Sequence, residues 1–210
     1  MPSVKQARAW YPDKDPVHGF DHILRVLRLA ERLAAAEGAD LEIVRAAVLL
    51  HDASGAETGG QGRAEHQNHS AEFARVILEA EGWPPERITA VQHCIRAHRF
   101  RGEETPQSLE AKILFDADKL DVIGAFGVAR TIAYDAVMGW PVYAEASETF
   151  RKTGKKEDGE THSSNHEFIF KLGKIKERLH TKTARQIAEG RQSVLNEFFE
   201  QLEAEARGER

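Results

Sequence analysis

A chain of 210 residues with one cysteine is long enough to bury a hydrophobic core and cannot form an internal disulfide. Its formal net charge is −5 at pH 7, with acidic and basic residues intermixed, which argues against binding to a nucleic acid polymer. No apolar stretch reaches the roughly 18 residues of a membrane span, and the first residues lack the basic start and apolar run of a secretory signal. We therefore expect a cytoplasmic protein with no membrane partner.

Apolar residues recur at helical spacing along almost the whole chain, and no segment alternates as a β-strand does. This pattern predicts an all-α protein. A first long helix is predicted over 20–37, ending at Gly38, and a second begins after Asp40 and ends in the apolar run AAVLLHD. Because apolar residues surround the whole axis of the second helix, we expect that helix to be central and buried.

The rest of the chain follows the same helical pattern, interrupted by two segments of loop composition at 53–63 and 152–162, the second of which we expect to be exposed. Between and after these loops, helical spacing predicts six more helices, over 66–81, 85–98, 108–119, 122–138, the repeat from Phe168 to Leu179 and the repeat from Ile187 to Leu202. We interpret 1–210 as a single domain, with a core over 15–138 and a C-terminal helical extension over 139–205.

His51 and Asp52 are the clearest functional signal, because these ionisable residues end a run of residues that must be buried. Burying either of them without a partner would cost several kcal/mol. Successive helix residues point about 100° apart, so both side chains can reach one ion only if it lies at or beyond the helix end. The negative end of the helix dipole also favours a cation there. Taken singly, each residue has a simpler explanation: a histidine bonded to a carbonyl, or an aspartate closing the helix.

Two carboxylates further along the chain also face the core. Asp118 follows Leu114 by four residues on the apolar face of its predicted helix, and Asp121 points nearly the same way. A buried carboxylate needs a cation or several hydrogen-bond donors. A bound metal would supply the cation, and an ion pair with Lys119 or Arg130 would do the same.

The first long helix contributes a histidine as well. His22 lies between Phe20 and Ile23, and its helical face does not separate it from His18. A set of two imidazoles and two carboxylates suits Mn, Fe, Ni, Co or Zn better than Ca or Mg. Octahedral coordination would leave two positions for water and a phosphoryl oxygen, which is the arrangement of metal-assisted hydrolysis. We expect one divalent transition metal, with manganese first among the candidates, and leave a second metal open.

The motifs FDHILRV, LLHDAS and FDADKLD, taken in this order, resemble the signature of the HD superfamily of metal-dependent phosphohydrolases. The segments DADKLDVIGAFGVAR, HEFIFKL and TKTARQIAEGR resemble its small bacterial branch, over about residues 15–200. The resemblance implies a compact HD-domain helical bundle with additional C-terminal helices. It also implies that the metal ligands are His22, His51, Asp52 and Asp118.

The resemblance to this branch implies that the protein hydrolyses a phosphate ester or anhydride in a small phosphorylated molecule. We expect this molecule to be a nucleotide. The expected catalytic residues are Asp52, His98 and Asp121. His98 shares a helical face with Ile95, and one of the two aspartates is expected to take the proton of the attacking water. Expected substrate-binding residues are cations near or on apolar helix faces, namely Lys119, Arg130, Lys171 and Arg191.

Two other interpretations of the same residues stay open. The chain could be a non-catalytic, metal-stabilised ligand-sensing or scaffold protein, or it could hold two metals with the help of His69 or His98. The sequence also leaves open whether orthophosphate or pyrophosphate is released and whether the chain forms a homodimer. No role is assigned to His66, His162, His166 and His180, and the roles of His18, His69 and His93 stay open.

Overall fold

The computed structural model describes residues 1–11, 19–54, 65–99 and 104–210, and within these ranges the chain is helical with no β-strand. This confirms the predicted all-α fold class. Its α-helices, α1 to α11 in chain order, span Val4–Arg8, Phe20–Glu37, Leu41–Leu50, His66–Ala80, Pro85–Ala97, Leu109–Asp121, Gly124–Val137, Glu148–Thr153, Ser164–Phe170, Ile175–Arg178 and Lys182–Ala206. None of these described helices combines the length and the apolar character that crossing a membrane requires. His18 and most of the predicted loop at 53–63 lie outside the described residues.

The second and third helices have the bounds that the sequence predicts, because their ends are specified locally. α2 ends at Gly38, whose φ of 78° places it in the left-handed region that favours glycine. Asp40 then caps α3, accepting hydrogen bonds from the backbone N–H groups of Glu42 at 3.0 Å and Ile43 at 3.1 Å. α3 is the central helix of its bundle, packing against α2, α4 and α5.

The chain divides into two compact units, one formed by residues 1–119 with 179–184 and the other by 120–178 with 185–210. In the first unit, α2, α4 and α5 pack against α3. The short segment 179–184 also belongs to this unit. The interpretation of 1–210 as a single domain, with its core and extension, stays a prediction.

Asp116 fixes the segment 179–184 within the first unit. Its buried carboxylate accepts hydrogen bonds from the backbone N–H groups of His180 at 2.8 Å and Thr181 at 2.7 Å, and from the Thr181 hydroxyl at 2.7 Å. The same hydroxyl accepts a hydrogen bond from the Ala184 backbone N–H at 3.3 Å, near the start of α11. One carboxylate therefore satisfies three donors of this segment.

We expect Asp116→Ala to lower the free energy of unfolding by about 1–3 kcal/mol, because it leaves buried donors of segment 179–184 without an acceptor. Urea denaturation of the metal-free protein measures this effect. Asp21→Ala is the matched control, since the Asp21 side chain is 70% exposed and pairs with Arg25 on the same helix. Equal stability of the two variants would contradict the anchoring role of Asp116.

In the second unit, one of the predicted helices is interrupted. The apolar repeat from Phe168 to Leu179 predicts one continuous helix, but the chain forms α9, a 3₁₀ turn over Leu172–Lys174 and then α10. Lys171, which follows α9, has φ −125° and ψ −58°, so the backbone leaves the helical conformation there. Helical spacing alone cannot detect this break, because the apolar residues keep a similar spacing through a 3₁₀ turn.

The loop after α8 is held at its base by Glu160. Its carboxylate accepts hydrogen bonds from the Ser147 backbone N–H and hydroxyl, each at 2.8 Å, and lies 3.0 Å from His166 Nε2. Residues 155–159 between these anchors are exposed. The first residues of the predicted loop at 152–162 belong to α8, which ends at Thr153, and the loop ends just before α9, which begins at Ser164.

Candidate metal centre

The predicted ligands come from three helices of the first unit. His22 lies in the first turn of α2, His51 is the residue that ends α3, Asp52 follows it, and Asp118 lies in α6. The ligating atoms of His22, His51 and Asp118 all lie within 4.8 Å of one another. His22 Nε2 is 3.3 Å from Asp118 Oδ1, and both side chains are buried.

A second group shares His51 with the first. The ligating atoms of His51, Asp52 and His98 also lie within 4.8 Å of one another. His51 Nε2 is 3.7 Å from Asp52 Oδ2, and His98 Nε2 is 3.6 Å from Asp52 Oδ1. Because His51 belongs to both groups, the fold brings all four predicted ligands, and His98, to one place. Their roles as ligands stay a prediction.

Two backbone carbonyls fix which nitrogen each buried imidazole presents. His51 Nδ1 lies 2.8 Å from the carbonyl oxygen of Val48, and His98 Nδ1 lies 2.5 Å from that of Ile95. A carbonyl can only accept, so each Nδ1 carries a proton, and in the neutral imidazole Nε2 then keeps its lone pair. These carbonyls belong to the last turns of α3 and α5, where helix geometry leaves them without helical partners.

The donor set fits a divalent metal. His51 Nε2 and Asp52 Oδ1 are buried and have no hydrogen-bond partner among the described residues. Leaving two such acceptors without a donor costs free energy, and a cation is the partner that satisfies both a lone pair and a carboxylate oxygen. The negative ends of the α3 and α5 dipoles also favour positive charge there.

Burial and neighbouring charges set the protonation states of the site. Burial raises the pKa of Asp52, but the imidazoles of His51, His98 and His66 outweigh it and hold that pKa well below its usual range. Burial and His51 lower the pKa of His98 to about 3, so His98 is neutral at physiological pH. For Asp118, burial is likewise outweighed by Lys119 and His22, and its pKa lies well below the usual range. Neutral imidazoles and ionised carboxylates are the forms that bind metals.

His66 also belongs to this site, although the sequence analysis assigns it no role. Its Nε2 is 3.4 Å from Asp52 Oδ1, and its ring meets the ring of His98 edge-on, with centroids 5.5 Å apart. The signal that could have revealed it is its spacing of four and eight residues before Ser70 and Ala74, which are both buried in α4.

The loop after α3 is tied to α4 by a reciprocal pair of hydrogen bonds. Ser70 Oγ accepts from the backbone N–H of Ser54 at 3.2 Å and donates to the Ser54 carbonyl at 3.0 Å. Ser70 is fully buried one helical turn after His66. This pair fixes the chain just after Asp52 against the helix that carries His66.

Two other histidines considered in the sequence, His69 and His93, do not join the cluster in the described residues. His93 Nδ1 lies 2.5 Å from Glu104 Oε1, and its Nε2 accepts from the Gln107 backbone N–H at 3.1 Å. His69 is exposed, and no group of described residues that could hold a metal includes it.

Three of the four predicted cations have an anionic or carbonyl partner. In the first unit, Lys119 Nζ is 2.5 Å from Asp118 Oδ2 and lies over the ring of Phe115. In the second unit, Arg130 pairs with Asp121 at 3.0 Å, which is the ion pair that the sequence left open. Arg191 donates to the Leu120 carbonyl at 2.5 Å, and Lys171 follows α9. The catalytic role of Asp121 and the substrate-binding roles of these four cations stay predictions.

A family model described as HD domain matches residues 19–123, a stretch that contains all four predicted ligands. The chain belongs to the HD domain family. This membership confirms the family that the sequence motifs indicate. In this HD domain, the adjacent histidine and aspartate are His51 and Asp52 at the end of α3.

Relatives of the HD domain match nearly the whole chain. YpgQ of Bacillus subtilis is 30% identical, over 99% of this chain and 96% of its own sequence. Its crystal structure in complex with ADP has a TM-score of 0.74 and covers 99% of this chain and 100% of that chain, at 29% identity. The crystal structure of a Lactobacillus plantarum protein has a TM-score of 0.78 at 30% identity, and it covers 98% of this chain and 95% of that chain. The crystal structure of a Bacillus thuringiensis HD-superfamily hydrolase has a TM-score of 0.70 at 28% identity, and it covers 97% of this chain and 94% of that chain.

Proposed function

We propose that this protein is a metal-dependent phosphohydrolase that cleaves a phosphate ester or anhydride of a nucleotide. The observation that carries the proposal is the pair of buried acceptors, His51 Nε2 and Asp52 Oδ1, neither of which has a hydrogen-bond partner in the described residues. The similarity to an HD-superfamily hydrolase supports the hydrolytic reaction. The similarity to YpgQ, which was solved with ADP, supports a nucleotide as the substrate.

The metal would be held by His22, His51, Asp52 and Asp118. When bound, a divalent metal supplies Lewis-acid polarisation of a phosphoryl oxygen. The two ionised carboxylates contribute two negative charges to such a centre, and neutral imidazoles contribute none. The charge of a divalent ion would therefore be balanced. Manganese fits this mixture of nitrogen and oxygen donors.

The protein groups around the ligands suit a phosphate substrate. Lys119 brings one positive charge to the edge of the centre, next to Asp118. His66 has a side chain that is 12% exposed, against 4% for His98, so His66 is the more accessible of the two to a substrate oxygen. We propose that Lys119 and His66 contact the phosphoryl group, and that His98 lines the centre beside Asp52 with the lone pair of its Nε2.

The electrostatics favour one role for Asp52 over another. A carboxylate whose pKa is held well below its usual range is a weak base, so it accepts a proton from water less readily than an unperturbed carboxylate. The same property strengthens its preference for a cation. We therefore propose that Asp52 acts as a ligand, and that a general base, where one is needed, is another group.

The test is a panel of nucleoside mono-, di- and triphosphates incubated with Mn²⁺-loaded protein, with orthophosphate and pyrophosphate assayed separately. We expect Mn²⁺-dependent release of one of these products from at least one nucleotide, and loss of that release after chelation by EDTA. Protein that binds Mn²⁺ stoichiometrically but releases neither product would contradict the proposal and favour a ligand-sensing role.

A further inference from the structure

Tyr11 is a buried tyrosine whose hydroxyl reaches the end of α3. It is 5% exposed, and its hydroxyl donates to the carbonyl oxygen of Leu49 at 3.0 Å. That carbonyl lies in the last turn of α3, where it has no partner within the helix. The hydroxyl therefore fixes the end of α3, next to the turn that presents His51 and Asp52.

The ring of Tyr11 contacts the start of α2. Its centroid lies 5.5 Å from that of Phe20, the first residue of this helix. Arg8 reinforces the contact, with its guanidinium 5.5 Å above the Phe20 ring and its Nη1 donating to the Tyr11 carbonyl at 3.1 Å. His22 follows two residues later in α2. One side chain therefore contacts both elements that carry the histidine ligands.

We propose that Tyr11 is a positioning residue for the metal, fixing the spacing between His22 on α2 and the pair of His51 and Asp52 on α3. This inference rests on the metal centre of the proposed function. The side chain acts through the Leu49 carbonyl, which orients the turn, and through Phe20, which orients α2. Outer groups that orient metal ligands in this way typically change metal affinity by roughly 10–100-fold when removed.

The test is Tyr11→Phe, which keeps the ring and removes only the oxygen. We expect Mn²⁺ affinity, measured by isothermal titration calorimetry, to fall about 10-fold. The electron paramagnetic resonance spectrum of the bound Mn²⁺ is expected to change, because the donor atoms are held less uniformly. A tyrosine that only packed the core would leave this spectrum unchanged. Tyr143→Phe is the matched control, since it removes a hydroxyl that donates to exposed Glu145 at 2.7 Å, and it is expected to bind Mn²⁺ as the wild type does.

Unchanged affinity and spectrum in Tyr11→Phe would overturn this inference. If circular dichroism shows that Tyr11→Phe is partly unfolded, the titration is repeated on Phe20→Leu, which keeps the hydroxyl and weakens the ring contact. Unchanged affinity in that variant would equally overturn it. The titration contains no substrate, so the two proposals fail separately. A wild type that binds no Mn²⁺ counts against the proposed function, whereas normal binding by both wild type and variant counts against the role of Tyr11 alone.

Discussion

Replacing Asp52 with asparagine is expected to lower Mn²⁺ affinity by more than roughly 100-fold, because changes that merely disorient a ligand already cost 10–100-fold. Asparagine keeps the shape of the side chain and removes its negative charge. The buried Oδ1 that has no hydrogen-bond partner in the described chain would become part of a neutral amide. The imidazoles of His51, His66 and His98 lie near this carboxylate, so the substitution removes the negative charge that they face.

The loss of binding has two measurable consequences. Mn²⁺ at about 100 times its Kd should stabilise the wild type by about 2.7 kcal/mol, and the same concentration should stabilise Asp52→Asn by less than about 0.4 kcal/mol. Any Mn²⁺-dependent phosphohydrolase rate should fall by about 1,000-fold, which corresponds to about 4 kcal/mol of barrier. Thermal unfolding with and without Mn²⁺, together with the nucleotide panel, measures both.

Asp158→Asn is the matched control for this prediction. It makes the same chemical change at an exposed position in the second unit, and we expect wild-type metal binding and rate. Retention of full Mn²⁺-dependent stabilisation by Asp52→Asn would remove Asp52 from the ligand set. It would leave His22, His51 and Asp118 as the only described group to consider.

Leu33→Ala should lower the free energy of unfolding by about 2–5 kcal/mol, which is the usual range for removing a fully buried leucine side chain. Leu33 is 0% exposed in α2, the helix that packs against central α3. The substitution removes favourable transfer of apolar surface and leaves a cavity that the surrounding helices fill only in part. Urea denaturation of the metal-free protein measures the loss without contributions from Mn²⁺ binding.

The control for Leu33 is Leu41→Ala, at the first residue of α3. This leucine is 43% exposed, so the same truncation should change stability by no more than about 0.5 kcal/mol. If the two substitutions destabilised the protein equally, the packing of α2 on α3 would not be the source of the loss.

The parts of the structure that the sequence predicts are those determined by neighbouring residues. The bounds of α2 follow from its apolar stripe and from Gly38, and the start of α3 follows from the cap at Asp40. His51 and Asp52 were recognisable because two ionisable residues close an apolar run. These local signals do not depend on how the helices pack against one another.

The parts that could not be predicted depend on tertiary contacts. His66 begins α4, and its relation to Asp52 exists only because α4 packs beside the end of α3. The role of Tyr11 depends on a hydrogen bond to Leu49, which lies 38 residues away in the chain. The break between α9 and α10 replaces helical turns with a 3₁₀ turn that keeps a similar apolar spacing.

The hydrogen bonds of Asp116 have a consequence for how the protein is made. All the residues of the candidate metal centre have been synthesised by residue 118, but the donors that satisfy Asp116 arrive only with residues 180 and 181. A nascent chain that has emerged only through α10 therefore contains a carboxylate in its future interior with none of its three donors. The first unit is completed late in translation, and an expression fragment that stops where the family match ends, at residue 123, lacks the segment that closes it.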